Sequence, residues 1–353
     1  MQAAYFGAYF IIALPAGLFM NRYGYKRGII LGLLLYAAGA FIFYPASEAS
    51  SFNLFLLALF ILASGLACLE TAANPYVTVL GEPETATTRL NLSQCFNGVG
   101  SFLGPVIASY LFFQDTSAAA SGNLYSVKMI YVIIGVLVLV VAGIFMRTHL
   151  PEIRESETVS TAELNEKPLF SHSNFTFGLL TQFFYVAAQV GIAALFINYC
   201  TESGVDINNA SAAKFLSVGL ILFTIGRFVG TSLMRVIAPS RLLAIYAFIN
   251  VLLSAVVISQ QQWLSVYALL GLFFFMSIMF PTIFALSIRD LGKHTKKASS
   301  FLIMSIVGGA IVPVLMGLLA DAYSTATAYI IPLICFLIVL FYGLKGHKVK
   351  IAN

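Results

Sequence analysis
The chain has 353 residues, of which 60% are hydrophobic and only 9% charged, and its mean hydropathy is +0.93. Soluble globular proteins carry about 25% charged residues, so this composition excludes a wettable surface and makes lipid the solvent. The formal charge of +5 is spread over short turns between apolar runs rather than gathered into one patch, so no nucleic-acid partner is expected.

In chain order, eleven apolar runs are long enough to span a bilayer as helices: Gln2–Met20, Gly28–Tyr44, Phe52–Leu80, Leu92–Phe113, Met129–Met146, Phe175–Tyr199, Phe215–Met234, Leu242–Ser259, Trp263–Ser287, Phe301–Ala320 and Ala328–Leu344. They are unbroken and show no dyad alternation, which favours helices over barrel strands. The first run lacks a basic leader and a small-residue cleavage site, so it reads as a span and not as a secretory signal. Trp263 opens its run as an interface anchor.

Sixteen of the nineteen basic residues fall on one set of alternating segments: Arg22, Lys26, Arg27; Arg89; Arg147, Arg154, Lys167; Arg235, Arg241; Arg289, Lys293, Lys296, Lys297; and Lys345, Lys348, Lys350. The opposite set holds Lys128 and Lys214, and Arg227 lies inside a run. The positive-inside rule makes the rich set cytoplasmic, with the C-terminus inside.

The sequence also repeats. Asn97-Gly-Val-Gly-Ser-Phe-Leu-Gly-Pro-Val-Ile107 matches Ser305-Ile-Val-Gly-Gly-Ala-Ile-Val-Pro-Val-Leu315 at its Val, Gly, Pro and Val positions. Each copy follows, by about thirty residues, a span broken by proline, at Pro75 or Pro281, and each half carries a basic turn further upstream. Two parallel six-span halves are a known transporter plan. The expected organisation is an N-terminal bundle over 1–147 with five spans, a cytoplasmic linker over 148–174, and a C-terminal bundle of six spans over 175–353 with a cytoplasmic tail. The first half is expected to lack its opening helix.

Only one acidic residue, Glu70, lies deep within a run. A carboxylate at the bilayer centre costs about 2.5–3.5 kcal/mol on the insertion scale, so it either has a structural partner, such as a hydroxyl or Arg227, or works as a proton or substrate site. Asn74 shares its helix face one turn on, just before Pro75; Asn91, Gln94 and Asn97 recur every third residue; Gln182, Tyr185 and Gln189 form another stripe. Amides and phenols that both donate and accept suit the vicinal hydroxyls of a sugar. A single membrane amide also serves as glue between helices, but three stripes and a carboxylate point to a polar cavity. Arg227 sits about 12 Å along its helix from Arg235 and reads as a gating or structural residue, with substrate contact as the alternative. The prolines at 75, 105, 281 and 313 free carbonyls and kink helices, either as static bends or as hinges. The four cysteines have no metal or disulfide spacing, and the four histidines lie outside the runs, so neither a metal site nor an intramembrane enzyme of His/Asp or Ser/His type is expected. No feature calls for an organic cofactor.

Gly17-Leu-Phe-Met-Asn-Arg-Tyr-Gly-Tyr-Lys-Arg27 resembles the signature turn of the major facilitator superfamily, with Asn21 where aspartate is usual. Cys68-Leu-Glu-Thr-Ala-Ala-Asn-Pro-Tyr76, Arg89-Leu-Asn-Leu-Ser-Gln-Cys-Phe-Asn97, Gln182-Phe-Phe-Tyr-Val-Ala-Ala-Gln189, Gly226-Arg-Phe-Val-Gly-Thr231 and Pro281-Thr-Ile-Phe284 resemble the fucose–proton symporter family. The resemblance implies a two-bundle α-helical carrier that takes up a monosaccharide with a proton as coupling ion, working as a monomer in the bacterial cell membrane. It matches Glu70 to a fourth-helix acid used in coupling and sugar recognition, and Gln94 and Asn97 to fifth-helix cavity amides. The basic residues Arg22, Lys26 and Arg27, with Pro75, Arg227 and Pro281, would serve gating or structure. Family members with glutamine in place of that acid tend to carry glucose and galactose, so Glu70 favours L-fucose. Met279-Phe280 stands where the family's fucose carriers have a glutamine–tyrosine pair, which leaves a glucose/galactose or amino-sugar carrier as an alternative, and the expected lack of the opening helix leaves a non-transporting sugar sensor as another.

Overall fold
The computed structural model describes residues 1–112, 125–151 and 168–348, and among them there is no strand. A chain dissolved in lipid must satisfy its backbone within each segment, and a helix does so locally. The helices are α1 (Gln2–Tyr23), α2 (Tyr25–Glu48), α3 (Phe52–Val79), α4 (Ala86–Phe112), α5 (Tyr125–Arg147), α6 (Ser173–Glu202), α7 (Asn209–Leu233), α8 (Pro239–Ile258), α9 (Trp263–Met276), α10 (Met279–Ser287), α11 (Thr295–Met304), α12 (Gly308–Ala322), α13 (Thr325–Ala328) and α14 (Ile330–Phe341), which runs on into a π turn at Tyr342–Gly346. Ten stretches among the described residues are long and apolar enough to cross a membrane. The eleventh expected run falls on α4, whose 27 residues extend about 40 Å; its last residue, Phe113, lies outside the described residues. So do 152–167, most of the expected linker, and the tail from 349 onward.

The chain divides into two compact units. One comprises Met1–Leu80, Leu103–Thr161 and Gly292–Met304; the other comprises Gly81–Phe102, Ala162–Leu291 and Ser305–Asn353.

In the first unit a left-handed Gly24 (φ 84°) turns α1 directly into α2. Lys26, just inside α2, donates to the carbonyls of Met146 (3.0 Å) and Thr148 (2.9 Å), caps the C-terminal end of α5, and faces the negative end of that helix. Arg22 and Arg27 both lie against the Tyr23 ring. Between α2 and α3 the packing is close enough to exclude side chains. A Cβ on Gly32 would stand 2.9 Å from the Gly65 carbonyl oxygen, and one on Gly65 would run into the backbone of Tyr36. Small residues allow this approach, which lipid rewards through van der Waals contact. Gly65→Ala is therefore expected to cost about 1–3 kcal/mol of overpacking, read as a lower thermal unfolding midpoint in detergent. On α5 the exposed side chains Ile133, Leu137, Val140 and Ile144 recur at helical spacing, as a lipid-facing stripe should.

In the second unit α6 packs on α12 through Ala187, Val312 and Met316, and on α9 through an edge-to-face pair, Phe196–Phe273. The α9–α10 span is the most enclosed of the spans in this unit.

The prolines behave differently from one another. Pro75 lies inside an uninterrupted α3, and Pro313 inside α12, so the expectation that Pro75 breaks its span is corrected. Pro75 is only four residues from the end of α3, where little helix remains to be redirected, and the Thr78 hydroxyl bonds back to the Pro75 carbonyl (2.7 Å). Pro281 does coincide with a break, since α9 ends at Met276 and α10 starts at Met279.

Candidate functional site
In the first unit the site is built around Glu70, about 14 Å before the end of α3. The Tyr9 hydroxyl of α1 donates to Glu70 Oε1 at 3.0 Å, and the Tyr5 hydroxyl lies 3.4 Å from that of Tyr9. Tyr9 is 2% exposed. The ion pairs found among the described residues, Lys128–Glu48 and Arg289–Asp290, do not involve Glu70. A carboxyl group held by a phenol and by no cation keeps its proton exchangeable, because neutralising it breaks no salt bridge. Asn74 is buried one turn further along α3. Neither tyrosine was singled out from sequence, although their i, i+4 spacing on α1 was visible there.

In the second unit the break before Pro281 organises the polar residues. Proline has no N–H, so the Ser277 carbonyl four residues earlier loses its helical donor. Arg227 Nε supplies one at 2.9 Å. The Tyr185 hydroxyl donates to the Met276 carbonyl at 2.8 Å. Arg227 also donates through Nη1 to the Gln94 carbonyl (2.6 Å) and lies 4.6 Å from the centre of the Phe223 ring. A Cβ on Gly226 would strike the Phe274 carbonyl, so α7 lies directly against α9 there. Asn91 is wholly buried and ties α4 to α10 through Thr282 Oγ1 (3.1 Å).

This placement changes two readings. Tyr185, expected to hold a sugar hydroxyl, is 0% exposed and spends its proton on a freed backbone carbonyl. Arg227, with gating, structural and substrate readings open, is engaged by two carbonyls and a ring, which is a structural clamp. Pro281 marks the Ser277 carbonyl as freed from sequence alone; that Arg227 reaches it, and that Tyr185 reaches the Met276 carbonyl one residue earlier, is seen only in the fold. Gln94 is half-buried and Asn97 exposed on α4, while Gln189 is half-buried on α6. Gln182 is wholly buried, and neither its amide oxygen nor its nitrogen finds a partner among the described residues. Asn250 and Ser254, one turn apart on α8, are buried and unpartnered in the same way, and no motif had marked them.

The model of the Major Facilitator Superfamily matches residues 1–306. The chain belongs to the Major Facilitator Superfamily. Within the superfamily it is 38% identical to a glucose/galactose transporter of Brucella abortus over 350 residues, covering 99% of this chain and 85% of the relative. It is also 38% identical to the L-fucose-proton symporter of Escherichia coli over 366 residues, covering 97% of this chain and 83% of that one. The crystal structure of the E. coli fucose:proton symporter superposes with a TM-score of 0.89 at 36% identity, over 99% of this chain and 90% of that one. The chain is thus a multi-pass helical membrane protein of a transporter superfamily, with sugar carriers among its relatives.

Proposed function
We propose that this protein is a proton-coupled monosaccharide symporter of the bacterial inner membrane, with its C-terminus in the cytoplasm and a single chain as the working unit. The observation that carries the reading is Glu70: a carboxyl group deep in a span, hydrogen-bonded by Tyr9 and free of any ion pair among the described residues. Such a group is expensive to bury without function, and its proton can be gained and lost without breaking an ionic lock. An inward membrane potential drives each proton with about 2.3 kcal/mol per 100 mV, so coupling can concentrate sugar where facilitated diffusion cannot. Gln182, with one donor group and one acceptor unpaired, offers what a vicinal diol needs. Gln94, Asn97 and Gln189 are the other amides we assign to sugar hydroxyls, with Asn74 beside Glu70. The proton is the only coupling species in this reading.

The sugar is L-fucose or a close hexose relative. Relatives named for fucose and for glucose/galactose stand at the same identity. Phe280 and Met279 present no hydroxyl before Pro281, which favours the glucose/galactose side, whereas Glu70 favours fucose. The deciding experiment is uptake of labelled L-fucose into proteoliposomes under an inward proton gradient, in competition with unlabelled D-glucose, D-galactose and N-acetylglucosamine. The fucose reading expects only unlabelled L-fucose to compete strongly; equal competition by glucose and galactose would reassign the substrate. Binding without counterflow of any of these sugars would mark a sensor and not a carrier.

A further inference from the structure
We infer that Tyr5 and Tyr9 form a proton entry line to Glu70; the inference rests on the coupling reading above. The three oxygens lie in series, Tyr5 Oη to Tyr9 Oη at 3.4 Å and Tyr9 Oη to Glu70 Oε1 at 3.0 Å. The two rings sit one helical turn apart, 5.3 Å between centroids, on the same face of α1. Packing alone would be served equally by phenylalanine, which the neighbouring Phe6 and Phe10 show this helix to use freely. A phenol adds one group that accepts and donates at once, which is the requirement for handing a proton along. Arg22 marks the basic end of α1; Tyr9 lies about 20 Å and Tyr5 about 26 Å away from it along the axis. On the proposed orientation the line therefore runs inward from the outer half of the membrane.

The step balances. A hydronium ion gives a proton to Tyr5 Oη as the Tyr5 proton passes to Tyr9 Oη and the Tyr9 proton to Glu70 Oε1. Three O–H bonds form as three break, hydronium becomes water and the carboxylate becomes a carboxylic acid. Other titratable groups lie on the elements packed around the line. Tyr36 comes from α2, Cys68 is on α3 itself, and Lys296 of α11 sits over the Tyr25 ring at 4.8 Å.

The test uses the full-length protein in proteoliposomes, with L-fucose and D-galactose as probes and Tyr9→Phe, Tyr5→Phe and Glu70→Gln run side by side. Tyr9→Phe is expected to lower pH-gradient-driven accumulation by about tenfold or more, the range of a hydrogen bond to a charged group. Sugar counterflow at equal pH should fall much less than accumulation does, because exchange needs no net proton movement. Tyr5→Phe should act in the same direction and more weakly. Unchanged accumulation in Tyr9→Phe, or accumulation and counterflow falling together, overturns the entry line. Full accumulation in Glu70→Gln would instead sink the coupling reading beneath it.

Discussion

Replacing Glu70 with glutamine is expected to abolish sugar accumulation driven by a pH gradient while leaving counterflow at equal pH measurable. Glutamine keeps the size of the side chain and can still accept the Tyr9 hydrogen bond, 3.0 Å long in the native protein, so the packing of α1 against α3 survives. What is lost is the ability to gain and release a proton inside the span. Without it, sugar crosses only down its own gradient, and the thermodynamic lever of about 2.3 kcal/mol per 100 mV disappears. The assay is the ratio of internal to external sugar at steady state. A ratio near unity in the variant, against concentrative uptake in the native protein, is the expected result. Retained concentration would remove Glu70 from coupling.

A second large effect is expected at Arg227. Arg227→Leu leaves the buried carbonyl of Ser277 without its donor and removes the additional bond to the Gln94 carbonyl, which stays within the α4 ladder. A buried unsatisfied group costs about 1–3 kcal/mol. The loss falls where Pro281 has already removed a backbone donor, so no neighbouring N–H is available to compensate. A fall in the thermal midpoint in detergent, larger than for any nearby surface substitution, would report it. Arg227→Lys should recover only part of the loss, because one ammonium group cannot reproduce the planar fork that reaches both carbonyls. Full stability in Arg227→Leu would show that the clamp contributes nothing.

The helical architecture was legible because the bilayer imposes a strong rule: runs of about twenty apolar residues must be helices. Ten of them reappear among the described residues as helices of spanning length, and the eleventh as α4. Glu70 was legible for the same reason, since an acid in an apolar run is conspicuous. The polar stripes were harder to read. Helical spacing puts Gln182 and Tyr185 on a common face, but it does not say whether that face meets a ligand or the backbone of another helix. Tyr185 and Arg227 went to the Met276 and Ser277 carbonyls at the break before Pro281, and Asn91 to Thr282, 191 residues away along the chain. Those assignments depend on tertiary contacts that no local pattern carries. Pro75 and Pro281 look alike in sequence, yet of the two only Pro281 accompanies a break. Tyr9 was passed over because tyrosine is common in these helices, 17 in the chain, and only its neighbour across the helix interface gives it a role.

Proton movement on addition of sugar tests the coupling most directly. Proteoliposomes containing the native protein, a pH-sensitive dye and no imposed gradient should acidify internally when L-fucose or D-galactose is added outside, one proton accompanying each sugar. The Glu70→Gln protein should show sugar entry with no acidification. Sugar entry into native proteoliposomes with the internal pH unchanged would contradict symport outright.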